Sequence, residues 1–409
     1  MEVVTEMSGN KISVLLVGIG GYGNKYVEEL LYHQDRSTFE IAGVVDINPE
    51  RCSYVQELKD RSIPFYTDMA SFYESSRADL AIISTPIQYH SEQVCLALSQ
   101  GSHVLCEKPI AATVQDAQKM MEMQKKTGKF VAVGYNLSFN AQIQELKRHI
   151  AAGLFGRPKR MKTLVLWRRG LDYFGSGWKG RKKGANGEWI LDSVVHNATS
   201  HFLHNMFYLI GPRPNESAKP VEVTAELYRA NDIETFDTCA LKVNTDQGVD
   251  IFFYASHTIL GNAGPVFTLE FEKAVITFYE GKDDNKITAV FHDGTEKVYP
   301  STNTSALADK LRTCIAAAAT GADEIPCGLE AAYPQLLCVN AVMDAIPEVP
   351  GFEPHLVHHD EDTDAIWVES LEETLWLCYD KWQLPAQAGA KWAAEAKAVD
   401  LAGYRVFKG

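Results

Sequence analysis

Val14-Leu15-Leu16-Val17-Gly18-Ile19-Gly20-Gly21-Tyr22-Gly23 runs an apolar strand straight into glycines spaced Gly-x-Gly-x-x-Gly. A strand that ends this way must turn sharply and let a helix begin close by. Gly18 suits the tight turn, Gly20 removes a side chain where a pyrophosphate would approach, and Gly23 lets the helix pack on the sheet. That helix, starting near Tyr22, aims its N-terminal amides and positive dipole end at the phosphates. A second strand, Phe39-Glu-Ile-Ala-Gly-Val-Val, ends at Asp46, a carboxylate placed to read a ribose 2′-hydroxyl. The pair reads as a dinucleotide-binding βαβ unit. Asp46 would repel a 2′-phosphate and Ile47 offers no charge to hold one, so NAD is expected over NADP, with Arg51 the one nearby cation.

Short apolar strands are expected over 12–17, 41–45, 80–84, 103–106 and 130–134, with amphipathic helices over 26–32, 88–98 and 114–126. Strands alternating with helices make a parallel sheet covered on both faces. Its ligands sit at the carboxyl ends of the strands, where the chain places Gly18, Asp46, Thr85-Pro86 and Glu107-Lys108-Pro109. Beyond 135 a helix over 141–151 leads to period-two strands over 160–168, 221–228, 238–243, 250–257, 267–271, 274–279 and 287–291. Strand after strand without helices between them predicts an open, mainly antiparallel sheet. Further helices are expected ahead of Gly211 and over 306–319, 329–345 and 366–381. The expectation is an α/β chain: an N-terminal Rossmann domain over 1–135, then an α/β domain over 136–409 with an extension from about 350.

At 409 residues the chain is long enough for two domains. A net charge of −14 disfavours nucleic acid and anionic membranes as partners. No run of about 18 apolar residues is present, so no membrane span is expected. Met1–Asn10 lacks a basic start followed by an apolar stretch, and the eight cysteines are scattered, with no Cys-x-x-Cys pair. Reduced, buried thiols in a cytoplasmic protein are the expectation.

Gly-Ile-Gly-Gly-Tyr-Gly at 18–23 is joined by Ser84-Thr85-Pro86 with His90, Glu107-Lys108-Pro109, Gly134-Tyr135-Asn136, and Asn197-x-x-x-His201-x-x-His204. Taken together, these motifs make the chain resemble the glucose–fructose oxidoreductase / inositol dehydrogenase (Gfo/Idh/MocA) family over nearly its whole length. The resemblance implies a nicotinamide cofactor held by Gly18, Gly20, Gly21, Tyr22, Gly23, Asp46, Ile47, Ser84, Thr85, Pro86, His90, Glu107, Lys108 and Asn136. It also implies substrates among sugars, inositols and their glycosides or acids.

Lys108 follows a strand end, so its ammonium reaches the crevice and can stabilise the oxygen of a reacting hydroxyl. Relatives carry Asp-x-x-x-His on the later helix. Counting back from Gly211 puts the histidine at His201 and the aspartate position at Asn197, four residues apart on one helical face. His201 is then the expected proton acceptor, with Asn197 orienting it. A second register pairs Asp192 with His196. Although His196, His201 and His204 are close in sequence, their spacing does not build a metal site, and none is expected. Tyr135, Trp167, Arg168, Trp178, Lys179, Asp192 and His204 are the candidate substrate contacts. Trp167, Arg168, Trp178 and Lys179 lie within a basic concentration formed by Lys162, Arg168, Arg169, Lys179, Arg181, Lys182 and Lys183.

The expected activity is NAD-dependent oxidation of a secondary hydroxyl of a sugar, inositol or glycoside. One alternative retains NAD and cleaves glycosides through a 3-keto intermediate and elimination. Another is a non-catalytic dinucleotide-binding regulator. Phe252, Tyr254 and Phe271 suggest an apolar sheet face open to a second copy, hence a homodimer or homotetramer.

Overall fold

The computed structural model describes residues 11–175, 177–302, 305–322 and 324–409. The expectation for Met1–Asn10 lies outside the described residues. The first part contains strands β1 (Ile12–Val17), β2 (Phe39–Val45), β3 (Phe65–Tyr66), β4 (Leu80–Ile83), β5 (His103–Cys106) and β6 (Val131–Val133). Between them run helices α1 (Gly23–Tyr32), α2 (Val55–Asp60), α3 (Met69–Ser75), α4 (His90–Ser99) and α5 (Val114–Thr127). The six strands form one sheet, parallel throughout, in the order β3-β2-β1-β4-β5-β6. That is the doubly wound order, whose switch point between β1 and β4 opens a crevice at the strand ends.

The second part begins with α6 (Ala141–Ala151), β7 (Pro158–Trp167), α7 (Leu171–Phe174) and α8 (Ser200–Leu209). Strands β8 (Pro220–Tyr228), β9 (Thr238–Thr245), β10 (Asp250–Ser256), β11 (Asn262–Phe271), β12 (Ala274–Tyr279), β13 (Ile287–Phe291) and β14 (Glu296–Tyr299) follow. Helices α9 (Ala306–Thr320) and α10 (Leu329–Ala345) lead to the hairpin β15 (Val357–Asp360) and β16 (Ala365–Val368), then α11 (Leu371–Lys381) and β17 (Lys397–Asp400). The large sheet has nine strands, β14-β13-β12-β11-β7-β10-β9-β8-β17. Only β7 and β10 pair in parallel. The open, mainly antiparallel sheet is therefore as expected.

Alternation along β10 sorts its side chains between two cores. Ile251, Phe253 and Ala255 join the main core, which is continuous with that of the Rossmann sheet. Phe252 and Tyr254 point the other way and pack under Leu371, Leu375 and Cys378 of α11. Here the structure overturns the reasoning behind the expected assembly. Phe252 is 5% exposed and Tyr254 0%, because the extension from about 350 folds over this face. Tyr254 Oη donates to the carbonyls of Cys378 (3.1 Å) and Gln383 (2.9 Å), fastening the cover. Phe271 lies in the main core instead.

Several contacts tie the two parts together, three of them away from the strand ends. α9 packs on β1 and β4. The Asn340 side chain of α10 accepts from the Val114 amide at 2.8 Å and donates to the Ala112 carbonyl at 3.0 Å, bracing the start of α5. The C-terminal tail crosses both: Phe407 exchanges hydrogen bonds with the Gln115 side chain of α5, 3.0 and 3.3 Å, while Asp344 of α10 accepts from the Lys408 and Gly409 amides, at 3.0 Å each. All eight cysteines are free, and seven are buried.

Candidate active site

The glycine turn has the geometry its spacing predicts. Gly18 sits at φ +78°, a conformation costly for other residues. A Cβ on Gly23 would lie 2.1 Å from the Gly18 carbonyl oxygen, so only glycine lets α1 start this close to the strand. No side chain caps the first turn of α1 and no acidic residue lies in it. Its amides and positive dipole end fit an anionic group. Ser84 Oγ donates to the Gly18 carbonyl at 2.6 Å, joining the ends of β1 and β4.

Asp46 ends β2 with both oxygens engaged, accepting from the Ile19 amide at 2.8 Å and the Asn48 amide at 2.7 Å. It therefore anchors the glycine turn and keeps lone pairs for a ribose hydroxyl. Ile47 is 89% exposed beside it. The Arg51 side chain lies along Gly20, its Cβ 3.4 Å from where a Cβ there would be. Asn136 donates to Tyr22 Oη at 3.3 Å, leaving its buried Oδ1 without a partner. The glycine turn, the uncapped helix start, Asp46 and this free acceptor all fit a dinucleotide.

Three of the residues expected at the cofactor have side chains committed to the scaffold. His90 is buried, its Nδ1 2.9 Å from the Pro109 carbonyl and its Nε2 2.9 Å from the Thr85 carbonyl. It thus ties the Thr85-Pro86 turn to the Glu107–Pro109 loop. Thr85 Oγ1 donates to Gln93 at 2.5 Å. Glu107 is buried and accepts from Tyr26 Oη at 2.6 Å and from Lys310 Nζ at 2.7 Å. Burial alone would push its carboxyl up; the Lys310 ammonium outweighs that and holds it below the usual range. Sequence reasoning missed Lys310, whose one signal was a lysine on the apolar stripe Leu307, Leu311, Cys314 of α9.

Lys108 lies where the two parts meet. Its Nζ is 2.9 Å from both the backbone carbonyl oxygen and Oδ1 of Asn197. Asn197 Nδ2 donates in turn to Asp192 Oδ1 at 2.8 Å, and Asp192 Oδ2 accepts from the Gly180 amide at 2.6 Å. Burial lowers Lys108 to about 8, against the pull of Glu107 and Asp192. Burial raises Asp192 to about 6, against its two hydrogen bonds and the nearby lysines. The structure thus brings Lys108, Asn197 and Asp192 into one hydrogen-bonded chain.

The histidines depart from expectation. The helix begins at Ser200, so Asn197 lies in the turn before it and the two residues share no continuous helical face. His201 stands edge-on to Tyr135, centroids 5.7 Å apart, with Nδ1 buried and unpartnered. Burial first, then the charges of Lys108 and Lys310, push it well below its ordinary value. A base must become the cation those forces oppose, so they weigh against His201 as the proton acceptor. His204 is a correction: it is 0% exposed, stacked on Tyr135 and hydrogen-bonded to Ser138 Oγ at 2.9 Å, so it belongs to the core. Tyr135 is likewise fully buried, donating to Gln335 at 3.0 Å. His196 is buried, held near 3 chiefly by burial, and makes no bond to Asp192.

Arg168 is a second correction. Its guanidinium donates to the Leu260 carbonyl at 2.8 Å, to Thr363 at 3.0 Å and to Asp360 at 3.2 Å, which commits it to the β15–β16 hairpin. Asp360 and Thr363 of that hairpin supply this anchor. Trp167 is half buried, edge-on to Phe202 at 5.4 Å. Trp178 is half buried. Lys179 Nζ stands 3.5 Å above the Tyr173 ring and feels the Asp192 charge. Arg169, Tyr173 and His257, absent from the expected site, complete this wall.

Residues 12–135 match the family described as an oxidoreductase family with an NAD-binding Rossmann fold. The chain is 28% identical over 201 residues to inositol 2-dehydrogenase of Rubrobacter xylanophilus, covering 49% of this chain and 52% of that protein. It is 26% identical over 192 residues to D-glucoside 3-dehydrogenase of Escherichia coli, covering 46% and 53%. The matches thus span about half the length of these curated relatives. The solved structure of aldose-aldose oxidoreductase from Caulobacter crescentus superposes with a TM-score of 0.68 at 18% identity, covering 83% of this chain and 98% of that one. At that identity the likeness establishes the fold alone. The motif set, the sheet order and these matches agree on the N-terminal part: residues 12–135 are the NAD-binding Rossmann domain of the Gfo/Idh/MocA oxidoreductase family.

Proposed function

We propose that the protein is an NAD-dependent oxidoreductase that oxidises a secondary hydroxyl of a carbohydrate-like substrate. The observation that carries this is the placement of Lys108 Nζ, held by two Asn197 oxygens at the carboxyl end of β5 and lowered to about 8. As a neutral amine, Lys108 has two N–H groups, and Asn197 accepts both. Its lone pair is then free for the proton of a substrate hydroxyl. Once protonated, the third N–H holds the oxygen as the carbonyl forms. A bound NAD supplies the hydride acceptor. Asp192 orients Asn197 and stabilises the charge that Lys108 gains. His201 stays neutral beside the site. The dehydrogenase names of the matched relatives support the reaction class.

The test is a screen of inositols, free sugars and aryl glycosides with NAD, following NADH absorbance and aglycone release together. Steady NADH formation is expected. Aglycone release without net NADH would transfer the protein to the cofactor-retaining cycle, and no NAD binding at all would overturn the proposal.

A further inference from the structure

Seven basic residues crowd positions 162–183, and the fold occupies five of them. Lys162 Nζ donates to the Tyr379 carbonyl at 2.6 Å, on the α11 side of the sheet. Arg168 pairs with Asp360 at 3.2 Å and Arg181 with Glu234 at 3.8 Å. Lys182 donates to the Pro347 carbonyl at 2.5 Å, and Lys183 covers the Trp189 ring at 4.0 Å.

Arg169 and Lys179 remain. Arg169 gives one N–H to the Arg168 carbonyl at 3.0 Å and stands 5.2 Å from the Tyr173 ring centroid. Lys179 lies 3.5 Å over the opposite charge of that same π-cloud. Both are half buried, and among the described residues neither has a carboxylate at ion-pair distance. Asp192, whose charge Lys179 feels, already accepts from Gly180 and Asn197. Two cations therefore stand against one aromatic ring with no carboxylate at ion-pair distance from either, in a chain of net charge −14. Partly desolvated charges without partners are costly unless something pairs with them. A guanidinium fork beside an ammonium suits an oxyanion.

We infer that Arg169 and Lys179 form an oxyanion subsite, so that the substrate is a polyol carrying a carboxylate or phosphate, the Tyr173 ring flooring the site between the two cations. This rests on the oxidoreductase reading for the reaction, though not for the binding.

Calorimetry tests it on the full chain, with and without NADH, using D-glucuronate, D-glucose 6-phosphate, D-glucose and myo-inositol at low salt. At least one anionic probe is expected to bind tenfold or more tightly than D-glucose, and which one wins identifies carboxylate or phosphate. Raising the salt should shrink that ratio. Arg169→Gln and Lys179→Met should each reduce it and the double variant abolish it, while Lys183→Gln keeps it. Unchanged NADH affinity confirms that the variants fold; should they fail, the wild-type ratio and its salt dependence decide the matter. Equal or weaker binding of both anions, or a double variant that keeps the ratio, overturns the subsite. NADH formation from neutral polyols without any gain from charge would overturn the subsite yet leave the oxidoreductase standing. Absent NADH binding alongside an intact anion preference would do the reverse.

Discussion

Lys108 and His201 are both visible in the sequence as motif residues, yet only the fold assigns their charges. Lys108→Ala is expected to lower turnover by about two to four orders of magnitude while NADH affinity stays near wild type; retained turnover would remove Lys108 from the chemistry. Because the amine is the form that accepts a proton, wild-type kcat/KM should rise with pH through about 8, the value burial gives Lys108. Ionisation of Asp192 adds a lower limb near 6. His201→Asn should keep the upper limb, since His201 is already neutral across that range. Loss of that limb in His201→Asn would return the base to the histidine. Asp46→Ala should narrow the preference for NAD over NADP, measured by calorimetry, and also weaken both, because Asp46 anchors the Ile19 amide. Lys310 was hidden for a physical reason: a buried ion pair joins residues 203 positions apart, and nothing local announces the partner. Lys310→Met leaves the Glu107 charge buried and unpaired, a loss of about 3–5 kcal/mol at pH 7. In wild type the pair's contribution is present above the ordinary glutamate range and lost as pH falls through the lower folded value. The variant lacks that contribution, and protonating its stranded carboxyl relieves the burial cost. Urea melts at pH 7 and 5 should therefore show the variant closing part of its gap to wild type at pH 5.

At the scale of elements, the strongly periodic segments were legible. β1, β2, β4 and β5, with α5 and α10, stand where apolar spacing and glycines put them. What escaped was structure that depends on a distant partner. β17 is a four-residue edge strand whose register is set by β8, with Lys397 opposite Ala225 and Asp400 opposite Glu222. The β15–β16 hairpin is built from His358-His359-Asp360 and Ile366-Trp367, the second of which falls inside the helix expected over 366–381. It forms because Arg168, Gly170 and Leu171 dock against it. α11 was foreseen, but not the sheet face it covers. Leu375, fully buried in that cover, offers the direct check: Leu375→Ala should cost about 2–5 kcal/mol by denaturant melts. An effect under about 1 kcal/mol would mean that α11 is only loosely seated.

For the whole molecule, the covered face changes what assembly to expect. An apolar sheet face calls for a second copy only while it is bare, and here Leu371, Leu375 and Tyr379 already occupy it. Sedimentation at micromolar concentration should show no association through this face. Removing the chain from 350 onward should expose Phe252 and Tyr254 and drive association or precipitation; a truncated chain that stays monomeric and folded would refute the covering role.

The tail that joins Gln115 of α5 to Asp344 of α10 also sets a kinetic condition. In a two-domain crevice, a ligand comes and goes as fast as the walls part. Here parting them breaks the tail's hydrogen bonds and slides Phe407 off Trp189, whose ring it meets edge-on at 5.0 Å. Under the oxidoreductase proposal that stitching predicts slow release of the dinucleotide, and the ratio of the tail's unfastening rate to the chemical rate would set how many reactions one dinucleotide serves before it leaves.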